Sequence, residues 1–408
     1  MKKLSLISAA FMLLGGLSLS AQTALVKEVE RQIKDNTQAA DGLKKIQPAL
    51  TNPETASDAN TWLIAGKAAV GVYDRMKIQE GLSPQGLTSD QKKQAGAALN
   101  SAYEYLFAAL PLDSVPDAKG NIKTKKSKEI VKLLKDNYGS LQQSGIWLYE
   151  AQDYPGAIKA WEMYSTLPKQ PVMANSGIVA HPDSIVAQIM NYEVLAMVLD
   201  KQNEAAVAKS RQVQAMGYKD IDVYRYGLAA AQEAADTTAI VEFAQAGYDK
   251  YGTQDMSFIG QLINVNLAKN NYDKCVELLN AAIEANADPS ILPTLYDIRG
   301  TVNENRELTD QAIADFRKSV EVDPNFAKGW YDVARMIYNK ALKDDEGADE
   351  AARQANVYPA LREAAQLFEK AYQLDEQNLS NIPGILYRLY YRIEGEDGTN
   401  TLLWEKLQ

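Results

Sequence analysis

The chain has 408 residues, of which 46% are hydrophobic and 24% are charged, and its formal net charge is −10. This apolar content is too high for wholesale disorder and is typical of a globular protein. The acidic charge disfavours binding to the phosphate backbone of nucleic acids. A single Cys and a single His exclude disulfide frameworks, zinc fingers and His-based metal clusters. We therefore predict no resident metal or cofactor.

The first 21 residues are predicted to be a signal peptide. Lys2 and Lys3 supply a positively charged start, residues 4–19 are largely apolar, and small residues follow up to Ala21. An uncleaved anchor helix is the alternative, but the apolar stretch is short for a bilayer span. We expect cleavage between Ala21 and Gln22 and an exported, periplasmic or secreted protein. No cysteine for a lipid anchor follows the cleavage site, and we predict no transmembrane segment in the mature chain.

Apolar positions recur every three or four residues, which predicts helices nearly throughout the chain. A pattern of three residues recurs along the chain: a small residue, a large residue four positions later, and a small or aromatic residue three positions after that. Positions 243, 279 and 316 of this pattern are 36 and 37 residues apart, as expected for a solenoid of helix pairs. The five triples are Ala157-Trp161-Tyr164, Ala239-Phe243-Ala246, Cys275-Leu279-Ala282, Ala312-Phe316-Ser319 and Ala364-Phe368-Ala371.

The first helix of each predicted pair has a matching pattern, in which a small residue allows its partner helix to approach closely. The instances are Trp62-Gly66-Ala69, Leu141-Gly145-Leu148, Val223-Gly227-Ala230 and Trp330-Ala334-Ile337. The most regular unit carries Tyr296, Gly300, Ala312, Phe316 and Pro324. With these residues the chain resembles the tetratricopeptide repeat (TPR) family. The resemblance implies an all-α fold, a right-handed α-solenoid of about seven or eight stacked antiparallel helix pairs.

We predict a single solenoid over residues 22–408, whose last 30 residues, 379–408, form capping helices. The most regular repeats are residues 138–168, 220–252, 256–289, 293–326 and 327–378. Segments rich in breakers and charges predict insertions near residues 81–95, 112–126, 168–183 and 340–358. The last insertion is interpreted as a lid or a disordered loop. Its Asp344-Asp345-Glu346-Gly347 start predicts a solvated loop, and residues 348–356 suit a short extra helix.

Motifs for catalysis are scarce, and we predict that the chain is not an enzyme. It has no G-x-G-x-x-G sequence and no P-loop. His181 lies among prolines and is interpreted as a surface loop residue, and Cys275 occupies a small-residue position that predicts a buried, inert thiol. The acidic residues near 344–350 lack the pattern of a calcium loop. The one basic patch is interpreted as a loop leading into a helix at Ser127; it comprises Lys119, Lys123, Lys125, Lys126 and Lys128.

The resemblance also suggests where a partner binds, since TPR proteins use the concave face built by positions two, five, nine and twelve of each first helix. On this chain those positions include Tyr149, Tyr224, Tyr331, Arg335, Tyr338, Tyr387 and Tyr390. Tyrosine suits a groove because its ring offers apolar area and its hydroxyl a hydrogen bond. Packing between repeats is the alternative use of these rings. We predict a partner-binding groove at Tyr331, Arg335, Tyr338, Tyr387 and Tyr390, with Arg335 as its anchor.

The TPR clamp for a peptide carboxylate requires Lys and Asn at positions five and nine of one first helix. This chain has Leu63 and Lys67 in one unit and Asp297 and Thr301 in another, so that mode of binding is not expected. The leading hypothesis is an exported scaffold or adaptor that binds a protein or peptide partner on its concave face. The alternative is a cell-envelope protein of the SusD-like class that binds a small ligand or a glycan through exposed Trp and Tyr.

Overall fold

The structure is a computed structural model that describes residues 19–114, 120, 124–285 and 290–407. The regular elements of this part of the chain are all helices, most of them joined in antiparallel pairs. The predicted all-α solenoid is therefore confirmed. The chain divides into two compact units, unit 1 (Met1–Ala235) and unit 2 (Asp236–Gln408). The division falls within the predicted repeat 220–252.

Unit 1 contains ten helices within the residues that the structure describes. They are α1 (Leu19–Gln32), α2 (Ala39–Thr51), α3 (Ala59–Leu82), α4 (Ser89–Asp113), α5 (Ser127–Asp136), α6 (Ser140–Glu150), α7 (Tyr154–Thr166), α8 (Asp183–Leu199), α9 (Asn203–Ala215) and α10 (Asp222–Glu233). Four pairs form, α1 with α2, α3 with α4, α6 with α7 and α8 with α9, and α10 packs on α8 and α9.

Side-chain caps fix where several of these helices begin. Thr88 and Gln91 form a reciprocal capping box at the start of α4. Asp58 accepts a hydrogen bond from the backbone N–H of Asn60 at the start of α3, and Asp153 accepts one from Gly156 at the start of α7. Such caps satisfy backbone donors that the first helical turn leaves unpaired, at about 1 kcal/mol each.

Unit 2 contains the remaining helices of the described chain. They are α11 (Thr237–Tyr251), α12 (Met256–Ala268), α13 (Tyr272–Ala285), α14 (Leu292–Asn305), α15 (Thr309–Val322), α16 (Ala327–Asp345), α17 (Glu350–Ala352), α18 (Tyr358–Leu374), α19 (Ile382–Glu394) and α20 (Thr399–Glu405). The pairs are α12 with α13, α14 with α15, α16 with α18, and α19 with α20. A buried cluster around Phe316 and Phe368 forms the core of the last three pairs.

Four helix pairs share one turn conformation between their two helices. In each turn a residue other than glycine has a positive φ, between 55° and 60°. The N–H of the next residue donates to the carbonyl oxygen five residues back, at 2.8–2.9 Å. This arrangement ends the first helix and redirects the chain into the second. The four residues are Gln152, Lys201, Asn270 and Glu307.

The small residues of the first helices lie against large residues of the second, as predicted. A Cβ on Gly300 would lie 2.7 Å from the ring of Phe316, and one on Gly145 would overlap the indole of Trp161. Trp161 and Phe316 are buried accordingly. Cys275 is buried at the equivalent small-residue position of its own repeat, as predicted, and burial raises the pKa of its thiol.

The predicted solvated loop at the start of the 340–358 insertion begins later than expected, as a largely exposed turn at residues 346–349. Helix α16 continues to Asp345, whose side chain is buried. Its carboxylate accepts a hydrogen bond of 2.7 Å from Arg353 Nε and contacts the guanidinium of Arg392 on α19. After the short α17, the π-helical turn Arg353–Val357 leads directly into α18. Most of the insertion is therefore helical, and the Asp345 carboxylate joins the end of α16 to Arg353 in the π-helical turn and to Arg392 on α19.

The 168–183 insertion holds His181 in a stack of rings, not on the open surface that we predicted. Two short 3₁₀ turns, Leu167–Lys169 and Pro171–Met173, begin the segment. The His181 ring then stacks on Tyr138 with centroids 5.0 Å apart, and its Nδ1 is hydrogen-bonded to the hydroxyl of Tyr164. His181 is half-buried as a result. This long-range contact has no signature in the local sequence.

Other predictions fall wholly or partly outside the described residues. The predicted signal peptide lies there except for its last three residues, where α1 begins. Lys119 and Lys123 of the basic patch are outside them as well. The predicted helix at Ser127 is observed as α5, and Asp113 accepts hydrogen bonds from the backbone N–H groups of Lys126 and Ser127 at its start. The predicted 81–95 insertion is shorter, since α4 already begins at Ser89.

Candidate binding surfaces

The tyrosines that we predicted on α16 pack against the second helix of their own pair. Tyr331 and Tyr338 lie edge-on to the ring of Phe368 on α18, with centroids 5.6 and 6.4 Å apart. Both are half-buried. Edge-to-face contacts of this kind stabilise packing between helices. On α16 the tyrosine rings thus serve largely in packing between helices, which was the alternative to a binding groove.

The predicted tyrosines on α19 are also engaged within the protein. Tyr390 is buried, and its hydroxyl donates a 2.9 Å hydrogen bond to Glu369 Oε1 on α18. Tyr387 is half-buried, and its ring centroid lies 6.2 Å from that of the exposed Tyr391. Tyr224 of unit 1 is buried too. The sequence cannot separate these packing roles from a groove because both place tyrosine on the same helix face.

Arg335, the predicted anchor, is already paired inside unit 2. Its Nη1 and Nη2 donate to the two carboxylate oxygens of Glu304 on α14, at 2.5 and 2.7 Å. Its Nε and Nη2 also donate to Asp332, at 3.2 and 3.0 Å. A bidentate pair of this kind uses most of the donors of a guanidinium. Arg335 therefore ties α14 to α16 and does not lie free among tyrosine rings.

Unit 1 contains an apolar groove, here called the aromatic groove, between the first helices α6 and α8. Its volume is about 320 Å³. The ring of Trp161 on α7 lies 6.2 Å from Tyr149 and 6.1 Å from Tyr192, so three aromatic residues are continuous along it. The groove is lined by Ile146, Tyr149, Glu150, Trp161, Tyr192 and Leu195.

Two of the residues that line the aromatic groove are exposed, Glu150, which pairs with Lys92, and Tyr192, which is 37% exposed. Its hydroxyl accepts a hydrogen bond from Gln188 Nε2 at 3.2 Å. Tyr226 on α10 lies close enough to Tyr149 to interact electrostatically with it. Burial and the nearby Asp222 raise the pKa of Tyr226 to about 12, and its hydroxyl donates a 3.3 Å hydrogen bond to Asp222 Oδ2. The groove itself thus combines apolar walls with the hydroxyl-bearing ring of Tyr192.

Glu193, next to Tyr192 in the sequence, is a fully buried carboxylate in α8. Lys209 Nζ on α9 lies 2.7 Å from its Oε1, and neither oxygen has a hydrogen bond of good geometry. Burial raises the pKa of Glu193 to about 7, although Lys209 opposes the shift. The pair faces the interior of the α8–α9 pair, so we interpret it as structural.

Tryptophan does not provide an exposed stacking surface. All five tryptophans belong to the described residues, and each is buried or half-buried. The sequence-based alternative of glycan binding assumed exposed Trp as well as exposed Tyr. Exposed tyrosine rings are present at Tyr192 and Tyr391. Glycan binding stays a prediction, now without its tryptophan component.

Unit 2 contains a second cavity, of about 490 Å³, between α12, α14 and the start of α16. It is here called the Asp297 cavity, and it is lined by Leu267, Thr294, Asp297, Ile298, Thr301, Phe326 and Lys328. Asp297 is only 4% exposed, and its Oδ1 has no hydrogen-bond partner. Burial raises the pKa of Asp297 to about 6, against the effect of Lys328, whose ammonium contacts Oδ2.

Sequence reasoning identified only part of these two surfaces. It found Tyr149 and Trp161, and it named Asp297 and Thr301 as departures from a carboxylate clamp. It missed Tyr192 and Leu195, because their segment lacks the aromatic residue that marks the second helix of other repeats. Their three-residue spacing on one face of α8 was the available signal.

No protein-family model matches this sequence, and no curated protein sequence matches it. The chain is similar to solved structures of TPR proteins. One is the C-terminal part of a TPR repeat-containing protein from Cytophaga hutchinsonii, with 14% identity over 65% of this chain and 93% of that one and a TM-score of 0.44. Yeast Tom70 has 13% identity, 95% and 85% coverage and a TM-score of 0.34. The P58(IPK) TPR domain has 12% identity, 92% and 98% coverage and a TM-score of 0.28.

With TM-scores below 0.5 and low identity, these similarities carry no argument about function. The helix pairs, their shared turn and their small-to-large contacts define the class: an all-α helical-repeat protein that is TPR-like. Within the described ranges, no three His, Cys, Asp or Glu side chains are grouped to hold a metal ion. In the same ranges, no helix combines the length and apolar character needed to cross a membrane.

Proposed function

We propose that this chain is an exported, non-enzymatic scaffold that binds a peptide segment of a protein partner, with the aromatic groove of unit 1 as its principal binding surface. One observation carries the proposal: three continuous aromatic residues line an open groove between the first helices α6 and α8, and its most exposed ring, Tyr192, is 37% exposed. Tyrosine and tryptophan are enriched at protein interfaces, and an open apolar groove marks a candidate interaction surface.

The occupant that fits this groove is an extended peptide that inserts one large apolar side chain. A volume of about 320 Å³ is at the lower end of the ~300–1,000 Å³ of ligand pockets, which suits a single aromatic or aliphatic side chain. The walls offered by Ile146 and Leu195 are apolar, while the Tyr192 hydroxyl, which accepts a hydrogen bond from Gln188, can donate one to a backbone carbonyl of the peptide. The net charge of −10 favours basic residues on either side of the inserted side chain.

Capture from a cell-envelope extract tests the groove when variants are compared. The mature chain, Tyr192→Ala and Leu199→Ala serve as baits; Leu199 is exposed on the same helix but does not line the groove. We expect a partner that is retained by the wild type and by Leu199→Ala and lost by Tyr192→Ala. Equal recovery by all three baits would exclude the groove as the binding surface.

A displayed peptide library panned on the mature chain tests the chemistry of the occupant. Selected peptides should share an aromatic or large aliphatic residue with Lys or Arg nearby, and Tyr192→Ala should weaken their binding at least tenfold, because central aromatic contacts dominate such interfaces. A glycan array run in parallel tests the alternative. Selective glycan binding, with no enrichment of peptides, would replace the peptide proposal.

Export is part of this proposal and has its own test. The mature N-terminus is expected at Gln22, and the intact mass of the exported protein should lack residues 1–21. A mass that retains these residues would contradict export with cleavage.

The predicted C-terminal group can be tested for a second partner contact. Because Arg335 joins Glu304 and Asp332, replacing it by Ala is expected to lower stability and cannot report on binding alone. The double variant Tyr338→Ala with Tyr387→Ala is the better probe. If this variant keeps its helical circular dichroism and its full affinity for the captured partner, these tyrosines serve packing only.

A further inference from the structure

The Asp297 cavity in unit 2 has features that the proposed function does not use. One wall is apolar and consists of Leu267, Ile298 and Phe326. The hydroxyl-bearing residues Thr294 and Thr301 also line the cavity, on the same helix as Asp297. A buried carboxylate with an unpaired oxygen therefore lies in a cavity that also has an apolar wall.

The charges around Asp297 do not balance. A continuous network of ion pairs joins three carboxylates, Asp297, Asp332 and Glu304, to two cations, Lys328 and Arg335. Lys328 and Arg335 both donate to Asp332, and Arg335 donates to both oxygens of Glu304. The network thus has one more carboxylate than cations, and Asp297 is the carboxylate of the network with an oxygen, Oδ1, that has no hydrogen-bond partner. An unpaired buried acceptor is costly, and a ligand that supplies a donor removes this cost.

Lys328 is the most accessible part of this network. Its side chain is 60% exposed, whereas the carboxylates of Asp297 and Asp332 that it contacts are 5% and 9% exposed. Lysine stems are flexible, and an ammonium ion is a compact charge that another cation can replace. An entering cation can thus take over the contact of Lys328 with Asp297 while Lys328 turns into solvent.

We propose that the Asp297 cavity binds a primary ammonium or guanidinium group carried on an unbranched aliphatic stem, with the cation on Asp297 and the stem against Leu267, Ile298 and Phe326. This chemistry belongs both to the Lys and Arg side chains of a protein partner and to free polyamines. The cavity lies in unit 2, so its occupancy does not depend on the aromatic groove of unit 1.

Ligand-observed NMR titration of the full mature chain with defined probes tests the proposal. The probes are Nα-acetyl-lysine amide, Nα-acetyl-arginine amide and 1,5-diaminopentane, and the neutral comparison is Nα-acetyl-norleucine amide. We expect saturable binding of the cationic probes, at least tenfold tighter than that of the neutral probe. Tighter binding of the amides identifies a protein side chain as the ligand, and tighter binding of the diamine identifies a free polyamine.

Two variants with opposite expected effects locate the site. Asp297→Asn keeps the shape of the side chain and should weaken binding of the cationic probes at least tenfold. Lys328→Met keeps the stem, removes the competing charge at an exposed position and should tighten binding about tenfold. Lys340→Met is the matched control, since Lys340 lies on the same helix and pairs with Asp310 outside the cavity. It should bind the probes as the wild type does.

Several results would overturn the proposal. The proposal fails if no cationic probe binds saturably to the wild type or to Lys328→Met. Equal affinity for the neutral and cationic probes would reduce the cavity to an apolar pocket. Unchanged affinity in Lys328→Met would also contradict it, and this variant remains informative even if Asp297→Asn does not fold. None of these results bears on the Tyr192 experiments, which report on a different unit.

Discussion

Glycines in the first helices have different roles, which depend on what the neighbouring helix places beside them. Gly145 lies against the indole of Trp161, and Gly300 lies against the ring of Phe316. Gly260, inside α12, has no neighbouring atom within 4 Å of where a Cβ would lie. At the scale of single residues, the same amino acid is thus required by packing at two positions and is unconstrained at a third.

A pair of glycine variants tests this difference. Gly145→Ala should destabilise the protein by about 2–3 kcal/mol, because its Cβ forces Trp161 out of a packed position. Gly260→Ala should stabilise it by about 0.5–1 kcal/mol, because alanine restricts the unfolded chain and fits the helix. Urea denaturation followed by circular dichroism measures both changes. If Gly260→Ala is less stable than the wild type, then unoccupied space around a helical glycine does not predict that the position accepts alanine.

Glu193 predicts a pH dependence of stability. Its pKa is raised from 4.5 to about 7, so the folded protein holds a proton that the unfolded chain releases between these values. The contribution of Glu193 is present below pH 4.5 and is lost as the pH rises to about 7, by about 3 kcal/mol in all. Relative to Glu193→Gln, the wild type should therefore lose free energy of unfolding over this range.

The measurement is the free energy of unfolding of both proteins from pH 4 to 8. Glu54→Gln, which changes an exposed glutamate, is the control and should follow the wild-type profile. If the difference between the wild type and Glu193→Gln stays constant with pH, then the pKa of Glu193 is the same in the folded and the unfolded protein, and Lys209 offsets the effect of burial.

At the scale of elements, the turn within a helix pair is the most regular feature of the repeats. Four residues other than glycine adopt a positive φ at this turn, although the sequence around them differs. The left-handed conformation costs such residues about 1 kcal/mol, except for Asn, which tolerates it. The turn persists because the packing of both helices on their neighbours outweighs this local cost.

Glycine substitutions in two of these turns test that account. Lys201→Gly should raise the free energy of unfolding by about 1 kcal/mol, since glycine adopts the φ of 60° without strain. Asn270→Gly should gain less than about 0.5 kcal/mol, because Asn already tolerates a φ of 55°. Thermal and urea melts compare the two. An equal gain at both turns would mean that the native residue type does not matter there.

At the scale of the whole molecule, stability is expected to be distributed among neighbouring repeats. Each helix pair contacts mainly the pairs beside it, and each unit has hydrophobic clusters of its own. Coupling between neighbours carries the stability of such proteins, so a weakened repeat can unfold before the others.

Phe316→Ala tests this distribution. The ring is fully buried, and its removal should cost about 3–5 kcal/mol and convert unfolding into more than one step. Tyr338→Ala, at a half-buried ring on the neighbouring helix, should cost clearly less. Denaturant melts followed by circular dichroism and by tryptophan fluorescence would reveal the steps. A neutral Phe316→Ala would show that the repeats are wrongly aligned on the sequence.

The sequence by itself determined the helical repeat, because the periodic spacing of small and large residues is a local property that recurs in each unit. It indicated Gly145 against Trp161, Gly300 against Phe316 and the buried Cys275 for this reason. Only the tertiary structure decided which faces are open and which charges are paired. Arg335, Asp345 and His181 find partners 17 to 47 residues away. Packing also buries Tyr390, half-buries the other tyrosines of the predicted groove and leaves Tyr192 exposed. The exposure of a ring depends on the neighbouring helices and not on its own spacing.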